Sequence, residues 1–223
     1  MRYILIPVKD LCRAKQRLSG LLTQEERTRL AWVMLENTLV AAANVANVDR
    51  LAVVTLYPPA ISLAEKYGME LILETRQSSE SASVDFASSE LIKRGATSVL
   101  RLPIDLPLLK TEDLELILAH QKSCPHVVIA PSRDGGGTNA ILRSPPDLFP
   151  SHFGPGSFAK HLLEAEKTKA VCEVLHLPRI ALDIDEPEDL KELMKLDKDE
   201  NPLWEVLAEM EIEKKLISDN SRL

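Results

Sequence analysis

Residues Val99–Leu109, VLRLPIDLPLL, decide how the rest of the chain is interpreted. The run Val99–Leu102 is mainly apolar and ends at a proline, which is typical of a strand buried on both faces of a parallel sheet. Asp105 follows the carboxyl end of that strand, where open α/β sheets bind their ligands. A carboxylate in this apolar frame suits a hard divalent cation such as Mg²⁺. An aspartate that caps the next turn explains the same stretch equally well.

Strand and helix patterns alternate on both sides of this stretch. We predict strands at residues 3–8, 51–56, 69–73, 98–102, 126–130, 139–143, 171–177 and 179–182. Thr23 and Glu26 form a capping-box pattern for a long helix that reaches about Asn47, and a last amphipathic helix begins at Asn201 and Pro202. The alternation predicts an α/β fold, a single Rossmann-like domain with a mostly parallel central sheet and helices on both faces.

The composition narrows the class of protein. The 223 residues are 45% hydrophobic and 27% charged, which is ordinary for a globular domain. A formal net charge of −7 argues against non-specific binding to nucleic acid or to anionic membranes. No apolar run approaches the ~20 residues of a membrane span, and the first apolar run is too short for a signal peptide. Three widely spaced cysteines without metal-ligand spacing predict a reducing, cytoplasmic location.

A basic loop follows the first predicted strand and carries Lys9, Arg13, Lys15 and Arg17. Because the loop leaves the carboxyl end of a strand, we expect its cations to surround the ligand crevice. Such a cluster can bind a polyphosphate and offset the charge that develops in phosphoryl or nucleotidyl transfer. A solvated basic loop is the alternative. The loop lacks the Lys-Ser/Thr ending of a P-loop, which argues against a P-loop ATPase.

Two further acids, Asp183 and Asp185, follow the last predicted strand. We expect them to share one Mg²⁺ ion with Asp105, since carboxylates at two strand ends can hold a metal against a triphosphate. Their alternation places both on the same side if the strand continues that far. The acids around Pro187 are interpreted as ordinary helix-start residues, namely Glu186, Glu188 and Asp189.

Two glycine-containing segments are candidate anion sites. Residues Asp134–Thr138, DGGGT, form either a nest of successive amides or a flexible hairpin. Residues Phe153–Ser157, FGPGS, open a helix that we expect Ser157 to cap, and a helix N-terminus binds phosphate or carboxylate well. An ordinary capped loop is the alternative. His161 lies one turn further and is a candidate to face such an anion.

Five motifs occur in a fixed order over nearly all of residues 1–196: IPVKDLCRAKQRL, LPIDLPLL, GGGTNAIL, FGPGSFAKH and DIDEPEDL. Together they resemble the 2-phospho-L-lactate guanylyltransferase family of archaeal coenzyme F420 biosynthesis, whose bacterial relatives act on phosphoenolpyruvate. The resemblance implies a nucleotidyltransferase fold of the GT-A/MobA type. We therefore predict a nucleotidyltransferase domain at residues 1–196 and a C-terminal helical extension at residues 197–223.

The resemblance also assigns roles to individual residues. It implies that Asp105 and Asp185 hold Mg²⁺, with Asp183 as the alternative to Asp185. It implies that three residues bind the acceptor, namely Thr138, Gly154 and Ser157. We expect Lys15 and Arg17 to act in catalysis with Asp105, and we expect the nucleotide to be bound by two lysines, Lys9 and Lys15.

The implied reaction transfers GMP from GTP to the phosphate of 2-phospho-L-lactate and yields lactyl-2-diphospho-5'-guanosine and diphosphate. One alternative is an enzyme of the same fold that uses phosphoenolpyruvate or another phosphorylated acceptor. An alternative of another class is a non-catalytic nucleotide-binding module. We expect a homodimer that engages neither nucleic acid nor a membrane.

Overall fold

The computed structural model describes residues 1–122, 124–198 and 200–220, without the side chains of residues 219 and 220. The strands of this described part are β1 (Arg2–Val8), β2 (Arg50–Thr55), β3 (Glu70–Leu73), β4 (Ser98–Arg101), β5 (His126–Pro131), β6 (Thr138–Ser144) and β7 (Val171–Val174). They form one sheet in the order β3-β2-β1-β4-β6-β5-β7. Strand β6 is antiparallel to β4 and β5, and the other neighbours are parallel, which confirms a mostly parallel sheet.

Helices cover both faces of the sheet. They are α1 (Gln24–Ala43), α2 (Pro58–Lys66), α3 (Glu80–Lys93), α4 (Thr111–His120), α5 (Ser157–Thr168), α6 (Pro178–Ala181), α7 (Pro187–Leu193), α8 (Leu203–Glu209) and α9 (Ile212–Asn220). Because side chains of a strand alternate between faces, Ile4 and Ile6 of β1 pack with α1, α2 and α4, whereas Tyr3 and Leu5 pack with α3. The predicted two-sided packing is confirmed.

The start of α1 is the predicted capping box. The hydroxyl of Thr23 accepts a hydrogen bond from the amide of Glu26 at 3.2 Å, and the carboxylate of Glu26 accepts one from the amide of Thr23 at 2.9 Å. The helix ends at Ala43, one turn before the predicted end near Asn47.

Residues 179–182 were predicted as a strand, and this was wrong. They lie mostly in the short helix α6, which has Pro178 in its first turn, where the missing N–H and the restricted φ of proline fit a helix. The segment 179–182 has two buried apolar side chains, Ile180 and Leu182, and is too short for periodicity to separate strand from helix. Strand β7 also ends earlier than predicted, at Val174.

The C-terminal helices pack against the body of the protein. Leu203, Trp204 and Leu207 of α8 share a buried apolar cluster with Leu30 and Met34 of α1. The predicted single last helix is two helices, because Glu211 between them has a φ of 52°. Residues 199 and 221–223 of the predicted extension lie outside the described residues. Within the described part of the chain, no helix combines the length and apolarity needed to cross a bilayer.

Candidate active site

A cleft lies at the carboxyl end of β4. It is lined by residues from β4, from the start of β6, from the start of α5 and from the segment 181–189, and we call it the acidic cleft. Eight carboxylates and three arginine side chains line it. This excess of negative charge disfavours the binding of a polyphosphate unless further cations accompany it.

Three carboxylates converge in the acidic cleft. Oxygen atoms of Asp105, Asp183 and Asp185 all lie within 4.8 Å of one another. The amide of Ile184 donates a hydrogen bond to the carbonyl of Asp105 at 3.0 Å, and this bond ties the two distant segments together. Asp183 and Asp185 follow helix α6 and not a strand. The prediction that strand alternation places them on the same side was therefore wrong. Their convergence with Asp105 nevertheless agrees with the expectation from the sequence.

Lys15 lies between two of these acids, Asp105 and Asp185. Its Nζ is 3.1 Å from Oδ2 of Asp105 and 3.0 Å from Oδ1 of Asp185, and its side chain is only 8% exposed. The backbone of Lys15 is left-handed, with a φ of 53°, which a residue with a side chain adopts only at a cost. Two ion pairs hold the residue in this conformation. Burial alone would lower the pKa of Lys15, but the charges of Asp105 and Asp185 raise it, so the ammonium stays protonated.

The carboxylates differ in their electrostatic surroundings. Burial tends to raise the pKa of Asp105, but the ammonium of Lys15 outweighs it and holds that pKa below its usual value. Burial, and then the charge of Asp105, raise the pKa of Asp183 to about 6. One ammonium therefore does not neutralise the three acids. Carboxylate oxygens at this spacing are the ligands that Mg²⁺ takes in proteins, so the residues fit such an ion.

Asn139 fixes the position of Asp183, a role that we did not foresee from the sequence. Its side-chain amide donates to the carbonyls of Ile180 at 2.8 Å and of Ala181 at 3.2 Å, and to Oδ1 of Asp183 at 3.1 Å. The signal available in the sequence was an amide side chain directly before the apolar run Ala140–Leu142.

Arg101 was also missed, although it lies inside the stretch that decides the fold. Its guanidinium is buried, donates to the carbonyls of Thr138 and Asn139 at 3.2 and 3.4 Å, and forms an ion pair with Glu80. It also stacks on the ring of Phe153, 4.1 Å from the centroid. Burial lowers the pKa of Arg101 to about 10, so it remains charged at neutral pH. An arginine within a buried strand was the signal.

We expect Arg101→Met to lower the free energy of unfolding by about 3 kcal/mol, because it leaves buried carbonyls and one carboxylate without their partner. Urea denaturation measures the loss. The matched control is Arg50→Met, since Arg50 is exposed and its pair with Glu70 is loose, at 3.7 Å. We expect the free energy of unfolding to change by less than about 0.5 kcal/mol in this control. Equal losses in the two variants would contradict the structural role of Arg101.

The four cations of the basic loop occupy two different environments in the structure. Lys15 reaches the carboxylates, and Arg17 stands at the rim of the acidic cleft, where its Nη1 is 3.1 Å from Oε1 of Glu186. Lys9 and Arg13 are exposed and do not line the cleft. The expectation that all four cations surround the crevice was therefore correct for two of them.

The glycine-rich turn does not form the anion nest that we considered. The amide of Gly135 donates to the carbonyl of Ser132, that of Gly136 to Asp134 Oδ1, and that of Gly137 to Ser132 Oγ, at 2.9, 2.9 and 2.6 Å. All three amides are thus occupied within the turn. Glycine is needed at position 137, because a Cβ there would lie 2.8 Å from Ser132 Oγ.

The three predicted acceptor-binding residues do come together at one end of the acidic cleft, where Thr138, Gly154 and Ser157 all line it. The N-cap of α5 is Gly156, with a φ of 71°, and Ser157 is the first helical residue, so the predicted cap was wrong by one position. This leaves the Ser157 hydroxyl without a hydrogen-bond partner among the described residues. His161 is fully buried and does not line the cleft, so the idea that it faces an anion was wrong.

The sheet and its acidic cleft define a nucleotidyltransferase fold. A solved structure from Desulfovibrio desulfuricans, described as a nucleotide-diphospho-sugar transferase, matches with a TM-score of 0.78 at 16% identity, over 96% of this chain and 97% of that chain. A cytidylyltransferase from Leptospira borgpetersenii matches with a TM-score of 0.58 at 15% identity, over 97% of this chain and 96% of that chain. At these identities the likeness shows the fold alone.

The family model described as "Guanylyl transferase CofC like" matches residues 1–219, and the chain belongs to this family. A phosphoenolpyruvate guanylyltransferase from Conexibacter woesei is 35% identical over 87% of each chain. A 3-phospho-D-glycerate guanylyltransferase from Colwellia psychrerythraea is 34% identical, over 86% of this chain and 91% of that protein. A 2-phospho-L-lactate guanylyltransferase from Methanobrevibacter ruminantium is 30% identical, over 86% and 84%. The resemblance seen in the motifs is confirmed, and the chain is a guanylyltransferase.

Proposed function

We propose that the chain transfers GMP from GTP to the phosphate of a three-carbon phosphorylated acid, with 2-phospho-L-lactate as the acceptor. The convergence of Asp105, Asp183 and Asp185 carries this proposal, together with the pairing of Lys15 to the first and the last of them. An acceptor phosphate oxygen attacks the α-phosphorus of GTP, the bond from that phosphorus to the bridging oxygen breaks, and diphosphate leaves. The phosphate is already an anionic nucleophile at neutral pH, so the protein's task is alignment and charge stabilisation.

We propose Mg²⁺ as the cofactor, held by Asp105 and Asp185 together with Asp183. The support is the set of carboxylate oxygens within 4.8 Å of one another, where burial, and then the charge of Asp105, raise the pKa of Asp183. When bound, the ion supplies positive charge to the triphosphate and to the leaving diphosphate.

The basic side chains have separate tasks in this proposal. Lys15 holds Asp105 and Asp185 in place and adds positive charge beside the reacting phosphates. Arg17 stands at the rim, where it can contact the triphosphate. Lys9 lies outside the cleft lining, so it would contact only a part of the nucleotide that extends toward the end of β1. The homodimer and the cytoplasmic location stay predictions.

A second candidate acceptor is phosphoenolpyruvate, because a relative with higher identity to this chain carries that name. We expect GTP with 2-phospho-L-lactate to give a kcat/KM about 10-fold above that with phosphoenolpyruvate or 3-phospho-D-glycerate, since small differences in acceptor shape are worth about this much. The measurement is diphosphate release from GTP, CTP, ATP and UTP with each acceptor.

The outcomes of this panel are distinct. A higher kcat/KM with phosphoenolpyruvate would replace the first acceptor by the second. Preference for another nucleotide would contradict the guanylyl assignment. Binding of GTP without diphosphate release in any combination would favour the non-catalytic nucleotide-binding module.

A further inference from the structure

A buried histidine lies directly behind the end of the acidic cleft that holds Thr138. His161 projects from α5, is 0% exposed and is surrounded by the rings of Phe149, His152 and Phe153, with centroid distances of 6.2, 6.0 and 5.2 Å. Burial, and then the positive charge of Arg143, lower the pKa of His161 to about 3. The imidazole is therefore neutral at physiological pH and carries a single ring proton.

The position of that proton follows from two hydrogen bonds. The backbone amide of His152 lies 2.9 Å from Nε2 of His161, and an amide can only donate, so Nε2 carries a lone pair. A neutral imidazole then bears its proton on Nδ1. Nδ1 is 3.0 Å from Oγ1 of Thr138, and this N–H donates to the threonine oxygen. The opposite direction would require a ring without any proton.

Because the ring of His161 donates to Thr138, the threonine hydroxyl can still donate its own proton elsewhere. A hydroxyl has one proton to donate, and Thr138 does not need it for His161, because it accepts from that ring. The described residues provide no other partner for this hydroxyl. Thr138 is only 5% exposed, and it borders the acidic cleft. The hydroxyl is thus available as a donor to a group inside the cleft, and an anionic oxygen is the best acceptor for it.

We propose that His161 is a positioning residue that fixes the Thr138 hydroxyl as a hydrogen-bond donor to an anionic oxygen of the acceptor. This inference rests on the proposed function, which puts the phosphorylated acid at Thr138. His161 itself touches no substrate. It acts by removing the alternative in which the threonine hydroxyl donates backward into the protein and presents only lone pairs to an anion.

Two variants separate the two hydrogen bonds of the ring. In His161→Asn the side-chain nitrogen can take the place of Nδ1 and still donate to Thr138, whereas the bond from His152 is lost. In His161→Gln the longer side chain can offer an oxygen near the place of Nε2 and accept from His152, whereas the donor to Thr138 is lost. Both variants remove the ring, so each is the control of the other for lost packing.

We expect His161→Gln to raise the KM for the acceptor about 10- to 100-fold, which is the range for a lost hydrogen bond to a charged group. The KM for GTP should stay within about 2-fold of that of the unaltered protein. An effect on the acceptor KM alone would show that Thr138 contacts an acceptor oxygen and not a nucleotide phosphate. In His161→Asn the KM for the acceptor should stay much closer to that of the unaltered protein than it does in His161→Gln. Equal impairment of both variants, or a GTP KM that rises as much as the acceptor KM, would overturn the proposal.

A measurement on the unaltered protein covers the case in which the variants do not fold. Long-range ¹H–¹⁵N spectra of histidine-labelled protein report which ring nitrogen carries the proton. We expect His161 to show the Nδ1–H form from pH 5 to pH 8. An Nε2–H form or a charged ring would overturn the inference. This readout does not depend on turnover, so absence of diphosphate release in the acceptor panel would count against the proposed function and not against the tautomer.

Discussion

Asp105→Asn should lower kcat by about 100- to 1000-fold, which is the scale for the loss of one group that stabilises charge in a transition state. The side chain keeps its shape but loses the charge that faces Lys15 at 3.1 Å and that shares the acidic cleft with Asp183 and Asp185. In the proposed function this removes a metal ligand. Diphosphate release at saturating GTP and acceptor, over a range of Mg²⁺ concentrations, is the measurement.

The control for this variant is Asp147→Asn, because Asp147 is exposed and does not line the acidic cleft. Its turnover should equal that of the unaltered protein. Circular dichroism and urea denaturation should show that Asp105→Asn is folded, since the ion pair between Lys15 and Asp185 remains. Full turnover in folded Asp105→Asn would remove Asp105 from the metal site.

Lys15→Met has the second of the two largest expected effects. We expect kcat to fall by about 100-fold or more, because the ammonium that lies between Asp105 and Asp185 also supplies positive charge near the proposed position of the triphosphate. A second effect has the opposite sign. Removal of one positive charge from a group of three carboxylates should strengthen Mg²⁺ binding, so the half-saturating Mg²⁺ concentration should decrease while kcat falls.

The combination of a lower kcat and a lower Mg²⁺ requirement distinguishes catalysis from stability. If Lys15 were only a structural tether, activity would fall in proportion to the folded fraction and would recover at lower temperature. Lys93→Met is the matched control, since Lys93 is exposed at the end of α3 and, within the described part of the chain, pairs only with Glu90 of the same helix. A Mg²⁺ requirement that stays constant in Lys15→Met would contradict the charge argument.

Local signals in the sequence were reliable where short-range physics decides the structure. Thr23 and Glu26 form the predicted capping box because both hydrogen bonds close within four residues. Gly68 follows α2 with a φ of 67°, the left-handed conformation that glycine favours just after a helix. The prediction of a strand at residues 179–182 was wrong, because the conformation of this segment depends on how Pro178 and Ile180 pack and not on periodicity.

The candidate site was only partly readable for a related reason. Asp105 could be recognised because it follows the carboxyl end of a buried strand. The sequence marked Asn139 and Arg101 only as polar side chains in predicted strands. Their roles, like that of His161, depend on partners in other elements of the fold. The anion nest was wrong because Ser132 and Asp134, which neighbour the glycines, use the amides themselves.

By itself, the sequence determined the alternation of strands and helices, the order of the motifs and, through that order, the family of guanylyltransferases. The alternation is a property of local periodicity, whereas the family was indicated by the resemblance of the five motifs. Only the tertiary structure decided that Asp183 and Asp185 both lie beside Asp105, with Lys15 between them. Three strands and three helices separate these acids along the chain, and the hydrogen bond from Ile184 to Asp105 joins them. The tertiary structure also sets the direction of the hydrogen bond between His161 and Thr138, because that direction depends on the amide of His152.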